Sequence, residues 1–163
     1  MTTPVWQTAR FSIDLTQPKV MAIVNLTPDS FSDGGQHTNV KHALDHAQTM
    51  LAQGADILDI GGESSRPGAQ AVSVEEELSR IVPFIKEALH WHVPLSVDTA
   101  KPDVMKVVLD MGVDIINDIW ALRQAGAVDV VGQYAGCGVC LMHMHRDPQT
   151  MFEQPMQGDA LQE

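Results

Sequence analysis

The sequence has 163 residues, of which 44% are hydrophobic and 19% are charged, a composition typical of one folded domain. Ten basic residues against 21 acidic residues leave a formal net charge of −11 at pH 7. This charge offers no basic surface to nucleic acid or to an anionic membrane, so both are excluded as expected partners. An anionic ligand would need a metal ion, backbone N–H groups or a few well-placed cations.

The N-terminal segment and the cysteines both predict a cytoplasmic protein. Residues 1–15 contain Thr, Gln, Arg and Asp where a signal peptide needs an unbroken apolar run, and no later stretch is long enough to span a membrane. Cys137 and Cys140 are too few for a disulfide scaffold, and we expect two reduced, structural thiols.

Strand and helix signals alternate along the whole chain. Short apolar runs at 20–24, 57–60, 94–97, 113–116 and 139–142 predict strands. Apolar residues at helical spacing predict helices over 40–51, 78–89, 102–112 and, more weakly, 127–134. With no linker between them, these elements predict a single domain over residues 1–163 with a parallel sheet and right-handed connections.

Polar residues gather near the C-terminal ends of the apolar strands. They are Asn25, Asp59, Glu63, Asp98, Asn117 and His143. A (β/α)₈ barrel takes its site from the ends of several strands, whereas a doubly wound sheet usually carries a glycine fingerprint after its first strand, which is absent here. The barrel is the favoured fold class.

The chain is short for a closed barrel, which needs about 250 residues. Only five strands and about four helices are visible in the sequence. We therefore expect the first part of a (β/α)₈ barrel domain, truncated at the C-terminus, with its first and fifth strands as open edges.

Two loops at this end carry chemically useful groups. The carboxamide of Asn25 suits Mg²⁺, a hard cation that is often shared with phosphate oxygens, although a loop of this composition is more commonly a solvated surface loop. In the second loop, Arg66 can clamp a carboxylate, and the hydroxyl of Ser64 or Ser65 can bond an anion. A tight turn with a surface arginine is the alternative.

Asp98 and Asn117 each lie on one face of a strand by the two-residue period and are predicted to converge in the barrel mouth. A carboxylate and a carboxamide together suit the edge of an aminopyrimidine. The alternative for Asp98 is an N-cap of the helix that begins at Pro102.

The M-H-M-H stretch from Met142 to His145 raises the possibility of a zinc site, but no third protein ligand can be assigned. Met142 is better explained as a soft apolar wall for a flat ring.

Five motifs taken together resemble dihydropteroate synthase in order and spacing. They are V-N-L-T-P-D-S-F-S-D-G-G from Val24, D-I-G-G-E-S-S-R-P-G-A from Asp59, S-V-D-T-A-K-P from Ser96, I-I-N-D-I from Ile115 and C-L-M-H-M from Cys140. The resemblance implies a transferase of folate biosynthesis that joins 6-hydroxymethyl-7,8-dihydropterin diphosphate to p-aminobenzoate. It also implies a TIM barrel, Mg²⁺ as cofactor, and a family homodimer.

The resemblance further implies roles for individual residues. Asn25 would bind Mg²⁺, Asp98, Asn117 and Met142 would hold the pterin, and Asp33 and Arg66 would be catalytic. Phe31, Ser65, Arg66 and Pro67 would form the side of the site that takes p-aminobenzoate, where sulfonamides compete. Ser65 replaces a residue that is commonly threonine in the family, so it keeps the hydroxyl but loses a methyl contact.

The C-terminal half of the family pattern is missing, including an aspartate, a lysine and the final arginine and histidine of the site. The expectation is that the 163-residue chain alone is inactive. The competing hypothesis is a non-catalytic pterin-binding fragment that needs a partner chain to complete the barrel. A third, another pterin-handling barrel such as a corrinoid methyltransferase, is disfavoured by the two long loop motifs.

Overall fold

A computed structural model describes residues 3–27, 36–64 and 70–144, with the backbone alone for 36–38. The elements in chain order are β1 (Val5–Gln7), β2 (Ser12–Asp14), β3 (Met21–Asn25), α1 (Gln36–Ala52), β4 (Ile57–Gly61), α2 (Val74–Ala88), β5 (Leu95–Asp98), α3 (Pro102–Met111), β6 (Ile115–Asp118), α4 (Ala127–Val131) and β7 (Gly138–Leu141). A short 3₁₀ helix, Leu89–Trp91, follows α2.

Strands β3 to β7 form one parallel sheet in strict chain order. A doubly wound sheet would reverse its strand order at a switch point, and this sheet does not. The order is that of the first five strands of a (β/α)₈ barrel, as predicted, and each strand begins within two residues of its predicted start.

The helices follow their predicted end signals, with three differences, the first being that α1 begins at Gln36 and not at Val40. Helix α3 begins at Pro102 and ends at Gly112, which adopts a left-handed conformation with φ of 99°. Helix α2 begins earlier than its apolar stripe because the Ser73 hydroxyl caps it, accepting from the Glu76 amide at 3.1 Å. Helix α4 ends at Val131 instead of reaching Tyr134. No helix in the described ranges is long and apolar enough to cross a membrane.

The two faces of the sheet bury different material. Val24, Ile60, Val97 and Ile116 alternate onto the outer face and pack in the main core with helix residues such as Phe84. The residues between them in sequence lie on the inner face, which is the interior side of a barrel. Function can therefore be sought on the inner face.

A hairpin that the sequence analysis did not predict closes the N-terminal end of this inner face. Strands β1 and β2 pair antiparallel, and Trp6 and Ile13 join a small cluster with Ile57 and Ile115, separate from the main core. Gly138 makes room for the indole, because a Cβ there would lie 2.9 Å from Trp6 Nε1. The opposite, C-terminal end of the inner face is not covered by this hairpin.

The fully buried carboxylate of Asp114 connects the hairpin to the sheet. It accepts hydrogen bonds from the Thr8 hydroxyl at 3.2 Å, from Arg10 Nε at 3.1 Å and from the Leu95 amide at 3.0 Å. Arg10 also donates to the carbonyls of Leu89 and Val93, both at 3.3 Å. A buried charge that is fully paired in this way stabilises one particular arrangement of neighbouring elements.

We predict that Arg10→Ala lowers the free energy of unfolding by about 3 kcal/mol, because it leaves Asp114 buried without its cationic partner. Lys19→Ala is the matched control, since it breaks a partly exposed ion pair with Asp56 and should lose less than about 1 kcal/mol. Urea unfolding of the three proteins gives the comparison. Equal losses in both variants would show that Asp114 does not fasten the hairpin.

Candidate functional site

One row of residues crosses the sheet at the C-terminal ends of the five parallel strands. In the strand register, Asn25 lies beside Gly61, Gly61 beside Asp98, Asp98 beside Asn117, and Asn117 beside Cys140. Neighbouring residues in register share a face and lie one strand spacing apart, about 4.8 Å. We call these five residues the polar row, and the structure thus places Asn25, Asp98 and Asn117 together on the inner face.

Gly61 keeps the polar row open at its centre. A Cβ at this position would lie 3.5 Å from Asn25 Oδ1 and 4.0 Å from Asp98 Cβ. Any longer side chain would therefore fill the space between the carboxamide of Asn25 and the carboxylate of Asp98.

Beneath the polar row, one pleat toward the N-terminal ends of the strands, lies a second layer of polar groups. Asp59 and Ser96 are register neighbours and both are buried. Asn117 Nδ2 donates to Asp59 Oδ2 at 2.9 Å. Within the described residues, Asp59 Oδ1 and Ser96 Oγ have no hydrogen-bond partner. Buried oxygens without a partner are costly, so a hydrogen-bond donor at this place would be favourable.

Asp98 lies in a strongly acidic environment. Burial raises the pKa of its carboxyl to about 7, and the negative charges of Asp59, Glu77, Asp118 and Glu63 add to the effect. The N-cap alternative is wrong, because α3 has Lys101 at its N-cap position and no side-chain capping bond. The carboxyl of Asp98 is instead a member of the polar row.

Lys101 is a functional-site residue that the sequence analysis missed. Its ammonium group binds both Glu63, at the end of β4, and Glu77 in α2, the latter at 2.6 Å. Burial would lower the pKa of Lys101, but the hydrogen bonds to the two carboxylates raise it overall. The network fixes the start of the β4 loop against α2, and only a three-dimensional contact could have revealed it.

The loop after β6 is also held in an unusual conformation. Ala121 and Leu122 both adopt positive φ, at 52° and 57°. The buried carboxylate of Asp118 supports them by accepting from the amides of Trp120 and Leu122, both at 2.8 Å. Strained backbone held in this way is typical of functional regions, and here it directly follows Asn117.

The remaining predicted residues fall into two groups. Met142 follows β7, is half-buried, and its amide donates to the carbonyl of Asp118 at 3.2 Å. Phe31, Asp33, Ser65, Arg66 and Pro67 lie outside the described residues.

The cysteines and histidines that the structure describes do not form a second site. Cys137 and Cys140 are free thiols, and burial raises the pKa of both. In the described parts of the chain no three His, Cys, Asp or Glu side chains gather as a metal site, and His145 lies outside those parts. The zinc alternative thus has no ligand set there.

Comparison with known proteins gives consistent matches. The profile of a family described as "Pterin binding enzyme" matches residues 21–163. Dihydropteroate synthase of Neisseria meningitidis serogroup B (strain ATCC BAA-335 / MC58) is 52% identical over 161 residues, which are 98% of this chain and 56% of that protein.

Two solved structures show the same likeness. Xanthomonas albilineans dihydropteroate synthase with 4-aminobenzoic acid has a TM-score of 0.82 and 51% identity, over 90% of this chain and 55% of that one. Yersinia pestis dihydropteroate synthase in a sulfonamide drug complex has a TM-score of 0.86 and 46% identity, over 98% of this chain and 58% of that one. The chain spans about half the length of the curated relatives it matches.

We predict that Asp98→Asn stabilises the fold at neutral pH. The raised pKa of Asp98 means that wild-type stability falls as pH rises from about 4 to about 7, because the folded protein resists losing this proton. The variant has no ionisable group at position 98, so its free energy of unfolding should exceed that of wild type by an amount that grows over this range to about 2–4 kcal/mol at pH 8. Urea unfolding between pH 4 and pH 8 measures the difference in stability between the two proteins. A difference that does not change with pH would contradict the prediction.

We also predict that Lys101→Met destabilises the fold by about 3 kcal/mol, because Glu77 would stay buried without its cation. Lys106→Met, which breaks an exposed pair with Asp110, serves as control and should lose less than about 1 kcal/mol. Thermal unfolding followed by circular dichroism compares them. An unchanged midpoint for Lys101→Met would mean that the Glu77 carboxylate needs no partner.

Proposed function

The chain belongs to the pterin-binding enzyme family, as its five motifs predicted, and we propose that it provides the pterin-binding part of a dihydropteroate synthase. The whole enzyme would be a transferase of folate biosynthesis. It would condense 6-hydroxymethyl-7,8-dihydropterin diphosphate with p-aminobenzoate, giving 7,8-dihydropteroate and diphosphate. The single observation that carries the proposal is the pairing of Asp98 and Asn117 in the polar row of a chain 52% identical to such an enzyme.

The chemistry of these two residues suits the pterin. The aminopyrimidine ring presents N–H and NH₂ donors, and a carboxyl group and a carboxamide at adjacent register positions can accept from them. Because the sheet buries these groups on one side, leaving them unpaired is unfavourable. A ring with matching donors pairs them, and the free energy of this pairing favours its binding. The half-buried side chain of Met142 would contact a flat ring next to them.

The proposed reaction needs little acid–base chemistry. Breaking the C–O bond to diphosphate leaves a methylene cation that the pterin ring stabilises, and the arylamine nitrogen of p-aminobenzoate then attacks it and loses a proton. We propose that Asp33 helps to stabilise the cation and that the two loops after β3 and β4 exclude water. The arylamine is already nucleophilic, so no Ser-His-Asp or Cys-His pair is required.

We assign p-aminobenzoate to the loop residues Phe31, Ser65, Arg66 and Pro67. Arg66 would pair with its carboxylate, as guanidinium groups commonly do. The same position would be the target of sulfonamides in the whole enzyme.

Mg²⁺ fits the residues of this part of the site. Asn25 has an exposed side chain whose Oδ1 borders the space left by Gly61, and a single neutral oxygen ligand suits a cation that keeps most of its shell as water and phosphate oxygens. When bound, the ion would neutralise charge on the diphosphate leaving group. Asn25 is then the residue of this chain that would hold it.

A second candidate follows from the sheet. Strands β3 and β7 each pair on one side only among the described strands, and Ile23 on the inner face is 63% exposed. This favours a pterin-binding fragment that becomes active only when a further chain or segment completes the barrel. For the whole enzyme we further propose a cytoplasmic location, a homodimeric state, and small molecules as its only substrates.

We predict that the purified 163-residue chain binds 6-hydroxymethylpterin, measured by isothermal titration. Asn117→Ala should weaken this binding at least about tenfold, because a ring donor loses its acceptor. Val107→Ser, on the exposed side of α3, is the control and should bind as wild type. Pterin binding that is absent, or unaffected by Asn117→Ala, would overturn the proposal.

The two candidates are separated by diphosphate release that depends on p-aminobenzoate. We expect none from the chain alone, because relatives are nearly twice as long. Release that appears only after mixing with the remaining half of a relative would favour the second candidate. Release by the chain alone would show that these 163 residues contain the whole catalytic site.

A further inference from the structure

The buried carboxylate of Asp59 has no role in the reaction described so far. Only 5% of the residue is exposed, and it lies one pleat below the polar row, between Ile23 of β3 and Ser96 of β5 in the register. Sequence analysis identified it only as one of several polar residues near a strand end. Burying a carboxylate is unfavourable, so its presence at this place calls for an explanation.

The hydrogen bond between Asp59 and Asn117 is informative, because a carboxylate oxygen of Asp59 is its acceptor. Asn117 Nδ2 donates to Asp59 Oδ2 at 2.9 Å. The carboxamide of Asn117 must therefore direct its NH₂ group at Asp59, which leaves its oxygen, Oδ1, as the end available to a ligand. Flipping the carboxamide would set two oxygens against each other in a buried site, so the orientation is locked.

We propose that Asp59 is a positioning residue that sets the orientation of the Asn117 carboxamide. In this way the pocket selects a ring that carries an amino group over one that carries a carbonyl at the same position. This inference rests on the proposed function, since it assigns the specificity of the same site.

The unpartnered oxygens nearby support the same preference. Asp59 Oδ1 and Ser96 Oγ have no partner within the described residues; Asp59 lies one pleat beneath Gly61, and Ser96 lies one pleat beneath Asp98. Below the polar row, the inner face thus holds the carboxylate of Asp59 and the hydroxyl of Ser96 next to the Asn117 carboxamide. A ring edge rich in N–H groups satisfies this set, whereas a carbonyl oxygen meets repulsion.

The test compares binding of two ring systems to the wild-type chain and to Asp59→Asn. The ligands are pterin and lumazine, in which an oxo group replaces the 2-amino group. An asparagine at position 59 can accept from or donate to Asn117, so the carboxamide becomes free to flip and can donate to the oxo group. We expect wild type to prefer pterin, and the ratio of the two dissociation constants to shrink at least about tenfold in Asp59→Asn.

Asp118→Asn is the matched control. Asp118 is also a buried carboxylate and is next to Asn117 in sequence, but its oxygens accept from backbone amides of the following loop. Its loss should destabilise the fold and leave the pterin-to-lumazine ratio unchanged. A merely structural role for Asp59 would give that same result.

The outcomes distinguish the inference from the function on which it rests. If wild type binds neither ligand, the proposed function fails and the inference with it. If wild type binds pterin but shows no preference over lumazine, or if Asp59→Asn keeps the full preference, only the inference is overturned.

If Asp59→Asn does not fold, a measurement on wild type tests whether Asp59 holds the Asn117 carboxamide. The side-chain NH₂ signal of Asn117, identified by its absence in Asn117→Asp, should exchange with solvent slowly, because Asp59 holds it. Exchange as fast as that of an exposed asparagine would overturn the proposal.

Discussion

The parallel register of β3 to β7 is the constraint on which the site depends. It brings residues from five separate segments of the chain into the polar row. A slip of one residue in any strand would turn its contribution toward the helices, because side chains alternate between the two faces. The outer face prevents this, since Val24, Ile60, Val97 and Ile116 are fully or almost fully buried in the main core.

Stability and function are located at opposite ends of the same strands. At the N-terminal end, the hairpin and the Asp114 network fill and fasten the inner face with apolar and fully paired groups. At the C-terminal end, the inner face has a glycine at its centre and, counting only the described residues, oxygens without a hydrogen-bond partner. This division is the one expected of barrel folds, in which loops at the C-terminal ends carry the chemistry.

The strands and the convergence of Asp98 with Asn117 could be predicted because both follow from the period of the sequence and from strand order. The hairpin could not, although Trp6, Phe11 and Ile13 are apolar, because strands of three residues give too little alternation to recognise. The Asp59–Asn117 bond and the Lys101 network join segments far apart in sequence, and one sequence contains no signal for such partners. The N-cap alternative for Asp98 failed because local capping preference says nothing about which face of a strand a side chain occupies.

The acidity of the site connects its energetics with its proposed ligand. Asp98 lies near the carboxylates of Asp59 and Glu77 in a chain whose net charge is already −11, and burial together with these negative charges raises the pKa of Asp98 to about 7. Within the described residues, Lys101 pairs with Glu77 and also with Glu63. The proposed ring would supply N–H donors to the remaining acceptors, so the groups whose burial is unfavourable are those that would bind an aminopyrimidine. Replacing them by apolar residues would stabilise the fold and would remove the hydrogen-bond acceptors that the proposed ring needs.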